Sequence, residues 1–234
     1  MSFGPRGEVK SRALGSWGRA ARFRQGIYRL LASSFLPPQK ERWQQMQEAA
    51  KSLRRQDKWA RDLPFYMPWR EFSASLGQKE PLSLEDYNRL LGPGGDAPPW
   101  ESSYLGPILL AQAEVVADLQ QAYLRAGLHP TFPHGPDHIS VELEFMSYLC
   151  GQEAEAWERG DTREVRRQLK REGKFLGGHL CRWLPAFVRR LEGAAAPPVL
   201  VKGAYAAWAL TCHDYDLARL LDAELAFAPT IDEG

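Results

Sequence analysis

The chain has 234 residues, 44% of them hydrophobic and 25% charged, with 30 Lys and Arg against 29 Asp and Glu. This composition is typical of a globular protein and excludes a disordered chain. The net charge of +1 argues against a nucleic-acid-binding protein that relies on phosphate neutralisation. No apolar run approaches the roughly 18 residues of a membrane span. The basic segment 1–24 has no apolar run behind its charges, so it resembles neither a secretory nor a twin-arginine leader, and we expect a cytoplasmic protein without membrane insertion.

Hydrophobic periodicity predicts helices between the clusters of proline. The proline pair at 37–38 stops the first helix, Ser83 with Asp86 caps the third, and Asp161 with Glu164 forms a capping box for a later one. The fourth begins near Pro107 and ends at Gly127. In chain order, the helical segments cover residues 23–35, 43–53, 84–91, 107–126 and 137–149, a segment from 162, and residues 175–191 and 199–227.

These segments predict an all-α fold. We expect a basic N-terminal segment, 1–20, followed by a helical domain, 21–228. The proline-rich turn near 128–137 leaves two arrangements open: a single helical bundle, or two helical halves (21–128 and 129–228) joined by a hinge. Such a hinge would allow a monomer or a dimer that exchanges halves.

The polar group most suggestive of function stands at the start of the fifth predicted helix. His138 and Glu142 are four residues apart and share a helix face, which a metal ion requires of two ligands on one helix. The chain has no Glu-x-x-His motif, so a two-metal helical centre is disfavoured. The simpler interpretation is that Asp137 caps the helix while Glu142 and Glu144 are solvated or paired. Recognition of a partner is the other alternative.

Cysteine and histidine offer a further candidate for metal binding. The cysteines, Cys150, Cys181 and Cys212, lie far apart in sequence and include no C-x-x-C motif. Neither His179 with Cys181 nor Cys212 with His213 has a spacing that brings two ligands together on one helix. We therefore expect a reducing compartment, buried free thiols and no bound cofactor.

Four stretches, taken in order, resemble the TorD/DmsD/NarJ family of molybdoenzyme-assembly chaperones. Residues 27–38 are similar to its opening helix and residues 98–105 to its P-P-W-x-S-x-aromatic loop. Residues 136–149 resemble the signature P-D-H-I-x-x-E-L-x-F-M-x-x-L, and residues 175–187 resemble F-L-x-x-H-L-x-x-W-x-P-x-F. Glu101 departs from the family, in which at least some members have glycine.

The resemblance implies a helical cytoplasmic chaperone without catalytic activity. It would bind the twin-arginine leader, the body, or both, of the precursor of a molybdopterin-containing oxidoreductase catalytic subunit. It would hold this client until cofactor insertion and before export. By position, the client-binding residues would be Trp100, Ser102, Tyr104, Pro136, Asp137 and His138, with Glu142 on the same helix.

Physical chemistry is compatible with that role. Aromatic rings on loops supply apolar area for a leader's apolar run, and a carboxylate such as Asp137 is suited to pair its arginines. His138 would position the turn at Pro136. Two alternatives from other classes stay open: a metal-dependent helical-bundle enzyme using His138 and Glu142, and a regulatory adaptor that binds a folded partner.

Overall fold

The computed structural model describes residues 5–77, 82–104, 109–129 and 134–227, with side chains from residue 15 in the first helix and from residue 112 in the fifth. In these ranges the secondary structure consists of α-helices, two short 3₁₀ helices (57–60 and 101–104) and one isolated β-bridge. The α-helices are α1 (Pro5–Ser34), α2 (Lys40–Gln56), α3 (Tyr66–Ser75), α4 (Leu84–Leu91), α5 (Leu109–Arg125), α6 (Ile139–Arg159), α7 (Thr162–Gly178), α8 (Leu180–Gly193) and α9 (Pro198–Phe227). The predicted all-α class is confirmed.

The predicted signals at Ser83, Asp161 and Gly127 act where the sequence places them. The side chain of Ser83 accepts a hydrogen bond from the backbone N–H of Asp86, and Asp161 accepts one from the N–H of Glu164. Gly127, with φ of +79°, follows the end of α5 in a conformation that side chains disfavour. The predicted start of this helix at Pro107 lies outside the described residues.

The centre of the bundle is the pair α1 and α6, which pack along much of their length. Helix α9 lies against α3, α7 and α8, and α7 also contacts α6. The largest buried side chains include Trp69, Trp183, Tyr123 and Phe187. Residues 5–20, which the sequence analysis set apart as a basic segment, belong to α1, and Trp17 stacks on Trp157 of α6 at 6.4 Å between ring centroids.

The predictions differ from the structure at several helices: α3 was not predicted, α1 begins earlier and α6 ends later than the predicted segments, and one predicted helix is divided in two. The segment 175–191 is divided at His179, whose backbone angles (φ −126°, ψ −94°) interrupt the helix between α7 and α8. Gly177 and Gly178 precede the break and weaken helical propensity there. The imidazole of His179 is also directed to a buried carboxylate outside both helices.

Candidate functional site

The segment 100–104 is fixed against the start of α6 by backbone hydrogen bonds. Trp100 and His138 form an antiparallel bridge, and the N–H of Ile139 donates to the carbonyl of Pro99 at 2.8 Å. The N–H of Glu101 donates to the carbonyl of Asp137 at 2.9 Å. Two of the four family motifs, far apart in sequence, therefore form one unit in the fold.

The buried side chain of Asp137 holds the segment 100–104 by a hydrogen bond. Its side chain is 5% exposed, and Oδ2 accepts a hydrogen bond from the backbone N–H of Ser102 at 3.3 Å. The prediction that Asp137 caps α6 is wrong, because the capping residue is His138. The carboxylate caps the short 3₁₀ helix 101–104 instead.

His138 closes the N-terminus of α6. Its Nδ1 accepts from the N–H of Ser140 at 3.2 Å and lies 2.7 Å from the Ser140 hydroxyl. Burial, with a smaller contribution from His134, lowers the pKa of His138 to about 3. The ring is therefore neutral at physiological pH and serves as a hydrogen-bond acceptor.

Trp100 is held by both its ring and its indole N–H. Nε1 donates to the carbonyl of His134 at 2.6 Å, and the ring meets that of His138 edge-on at 5.4 Å. Gly135 follows with φ of +93°, which permits the turn that brings Pro136 back to the site. The carbonyl of Pro136 accepts a hydrogen bond from the Tyr123 hydroxyl at 2.8 Å.

Tyr104 forms the other end of the segment. Its ring lies 5.3 Å from that of Trp183 and 6.2 Å from that of Phe187, both on α8. The guanidinium of Arg190 lies 5.5 Å from the centre of the Tyr104 ring, within cation–π range. Tyr104 is therefore an aromatic side chain in a defined position and only partly buried.

Glu142 is a buried acid and does not lie at the surface. It has no exposed area, and Oε2 accepts from the indole N–H of Trp183 at 3.3 Å. Burial, and then the neighbouring Glu101 carboxylate, raise the pKa of Glu142 well above its ordinary value. Of the two acids interpreted as solvated or paired, Glu144 is exposed, whereas Glu142 is buried and hydrogen-bonded to Trp183.

Glu101 and His179 form a contact that the sequence analysis did not predict. Both side chains are buried, and Nδ1 of His179 lies 2.9 Å from Oε2 of Glu101. Nε2 of the same ring lies 3.5 Å from the carboxylate of Asp118 on α5. The only signal in the sequence was the acidic residue in place of a family glycine.

The structure thus brings the predicted client-binding residues together, but some of them are partly exposed and the others are buried. Trp100, Ser102, Tyr104 and Pro136 are partly exposed. We call them the rim surface. Asp137, His138 and Glu142 lie beneath it and have at most 5% exposure.

A second polar cluster crosses the bundle and also escaped the sequence analysis. Arg24 on α1 ion-pairs with Glu153 on α6, with Glu172 on α7 at 3.3 Å, and with Asp214 on α9 at 3.2 Å. All four side chains are at most 2% exposed. The sequence did contain a signal for this cluster: each of the four helices has a charged residue on the face that is otherwise apolar. We call this group the charged layer.

Metal chemistry finds little support in this arrangement. Among the described residues, the group close enough to share an ion is Cys150, Glu153 and Glu172. It includes neither His138 nor Glu142, so the metal-dependent enzyme alternative gains no support. The Arg24 guanidinium already supplies this group with a cation.

The fold and site together define an all-helical protein with an aromatic surface held by buried polar side chains. Residues 39–189, more than half of the chain, match the family described as Nitrate reductase delta subunit. The chain belongs to this family. The match confirms the family resemblance drawn from the four sequence motifs.

Two relatives share a shorter stretch. Over 57 residues the chain is 49% identical to a protein described as "Selenate reductase assembly chaperone protein" from Thauera selenatis. It is 46% identical, also over 57 residues, to "Chlorate reductase assembly chaperone protein" from Ideonella dechloratans. Each alignment covers 24% of this chain and only 28% of the relative. None of the helices in the described ranges is long and apolar enough to cross a membrane.

Proposed function

We propose that this protein is an assembly chaperone that binds the precursor of a molybdopterin-containing oxidoreductase catalytic subunit. The observation that carries the proposal is the likeness to two relatives whose descriptions name reductase assembly chaperones. The chaperone would hold its client in the cytoplasm until cofactor insertion, before export, and would act by binding and without catalysis.

The rim surface supports binding of a leader peptide. Trp100 and Tyr104 offer aromatic area in fixed positions, so little conformational entropy is lost when an apolar peptide run packs on them. Their positions are set by hydrogen bonds and ring contacts within the protein. The apolar part of the leader would pack there in a helix-in-groove mode.

The buried residues would act through the rim surface. Asp137 holds the N–H of Ser102, His138 caps α6, and Glu142 holds Trp183 beneath Tyr104. Pairing of Asp137 with the twin arginines would require its carboxylate to leave this hydrogen bond. Its effect on leader binding is therefore proposed to be positional.

The test is binding of a synthetic twin-arginine leader, measured by fluorescence anisotropy, together with capture of the full-length precursor from the host's soluble fraction. Trp100→Ala is expected to lower leader affinity by about tenfold, the scale of a lost aromatic anchor. Trp59→Ala is the matched control, because Trp59 is 49% exposed and distant from this site in sequence. Equal affinity of both variants would contradict the site. Failure to capture any molybdoenzyme precursor would contradict the function.

Two substitutions at Asp137 separate charge from position. Asp137→Asn keeps an oxygen acceptor for the N–H of Ser102 but removes the charge, whereas Asp137→Ala removes both. We expect leader affinity to survive in the Asn variant and fall in the Ala variant. Equal losses in both would instead show that the carboxylate pairs the leader's arginines.

The form of the chaperone in solution is part of the same proposal. Residues 130–133 of the hinge proposed near 128–137 lie outside the described residues, and a monomer and a dimer with exchanged halves both remain options. Light scattering on the purified protein, with and without the leader, distinguishes them. Binding of a folded oxidoreductase but no leader would favour the adaptor alternative.

A further inference from the structure

Two cysteines that are far apart in sequence come together between α8 and α9. Cys181 lies in the first turn of α8 and Cys212 near the middle of α9. The thiol of Cys181 is 3.6 Å from the carbonyl oxygen of Thr211, the residue before Cys212. The two thiols are close enough that each is the largest influence on the pKa of the other. The prediction of buried thiols is confirmed for Cys150 only, because Cys181 is partly buried and Cys212 is exposed.

The two thiols differ in the way that a peroxide-sensitive pair requires. The neighbouring Cys181 thiol is the main cause that lowers the pKa of Cys212 to about 7, so a large thiolate fraction is present near neutral pH. The same neighbour interaction, with burial, raises the pKa of Cys181. An exposed thiolate beside a half-buried resolving thiol is the arrangement found in redox-sensing proteins.

We propose that Cys212 and Cys181 form a reversible disulfide when the protein meets hydrogen peroxide. The Cys212 thiolate attacks one peroxide oxygen, the O–O bond breaks, and hydroxide leaves as Cys212 becomes a sulfenic acid. The Cys181 sulfur then attacks the sulfenic sulfur, losing its proton while the sulfenic oxygen departs as water. In total, two thiols and one peroxide give one disulfide and two waters, with both sulfurs oxidised and the peroxide reduced.

The resulting bond would join α8 to α9 close to the support of the rim surface. Cys181 stands two residues before Trp183, whose indole N–H bonds to Glu142 and whose ring contacts Tyr104. A crosslink there restrains the first turn of α8. The oxidation site itself is independent of the proposed chaperone function and is tested without any client.

The third cysteine provides an internal control. Cys150 is fully buried on α6, and burial is the largest cause that raises the pKa of its thiol well above the ordinary value. Trypsin separates the three cysteines, because Cys181 lies in the peptide 175–182, Cys212 in 203–219 and Cys150 in 126–159. Each thiol can therefore be followed by mass spectrometry in the same sample.

The experiment treats the folded full-length chain with equimolar hydrogen peroxide, alkylates the remaining thiols and maps the tryptic peptides. We expect 175–182 linked to 203–219 within one chain, with alkylated Cys150 and complete reversal by dithiothreitol. Cys150→Ser should give the same linked pair. Cys181→Ser should stop at a Cys212 sulfenic acid that dimedone captures, and Cys212→Ser should leave Cys181 reduced.

Three results would overturn the proposal. One is an unreactive wild-type protein, and another is a disulfide that forms only between two chains. The third is formation of the same Cys212 product, at the same rate, in wild type and Cys181→Ser, because the resolving thiol would then have no role. Circular dichroism of the Ser variants confirms that each remains folded.

Discussion

Nδ1 of His179 lies 2.9 Å from Oε2 of Glu101, and this buried contact joins the break between α7 and α8 to the segment that carries Trp100 and Tyr104. Both side chains are buried, so neither can exchange this partner for water without a cost in free energy. The contact explains why the helix predicted over 175–191 is interrupted at His179.

Glu101→Ala should destabilise the protein. The substitution leaves the buried imidazole of His179 without this partner, and we expect the free energy of unfolding to fall by about 1–3 kcal/mol. Urea unfolding measures the change. Glu192→Ala is the control, because Glu192 accepts from Tyr205 at 2.9 Å on the exposed surface. If both substitutions lowered the free energy of unfolding equally, the buried contact would contribute no more to stability than the exposed one.

Stability should fall in acid because of His138. Its folded-state pKa is about 3, below the ordinary value of 6.5, so as pH drops below 6.5 the unfolded chain binds a proton that the folded chain refuses. The loss is at most about 1.4 kcal/mol per pH unit. His138→Asn keeps a capping oxygen for α6 without titrating. Urea unfolding at pH 4 to 7 should show a weaker acid dependence in the variant, and parallel profiles would contradict the assignment.

Glu142 should have the opposite effect on the pH dependence of stability from that of His138. Because its folded-state pKa is raised, the folded chain keeps a proton that the unfolded chain releases as pH rises above 4.5. The contribution of Glu142 to stability therefore declines with rising pH until the folded-state pKa is passed. Glu142→Gln retains an acceptor for the Trp183 indole and does not titrate. The stability of the variant relative to wild type should rise between pH 5 and 8, and a constant difference would refute the prediction.

Arg24→Met should be among the most damaging substitutions on α1. It leaves Glu153, Glu172 and Asp214 buried without their cation, and we expect a loss of about 3–5 kcal/mol near pH 7. The deficit should shrink in mild acid as Glu153 and Glu172, whose pKa values burial raises, take up protons. Arg22→Met is the matched control: its 40% exposed side chain pairs with Glu158 on the surface, where such pairs contribute about 0–1 kcal/mol.

The order of the elements was accessible from the sequence because its signals are local. Apolar periodicity and caps at Ser83 and Asp161 depend on residues within one or two turns, and they placed most helices correctly. The motif resemblance also selected residues that the fold does bring together around Trp100 and His138. Ring contacts such as that between Tyr104 and Trp183 depend on tertiary packing, which no periodicity encodes.

What the sequence could not supply was the depth of each polar residue. Asp137 and Glu142 have the appearance of surface acids near a helix start, yet loop 100–104 and α8 cover them. The approach of Cys181 to Cys212 likewise results from the packing of α8 on α9. Such placements are set by contacts between distant parts of the chain.

The charged layer has a consequence for how the helices align along their axes. In α1, α6, α7 and α9 it separates residues of the main core from a smaller apolar cluster built around Ala21, Trp157, Leu169 and Ala218. If any of these helices moved along its axis by one turn, about 5.4 Å, its charged side chain would lie among apolar side chains. Arg24, or one of the acids, would then be buried without its ion-pair partner. Contacts between apolar side chains alone tolerate such shifts more readily. The ion pairs of Arg24 with three acids therefore favour one axial position of the four helices relative to one another.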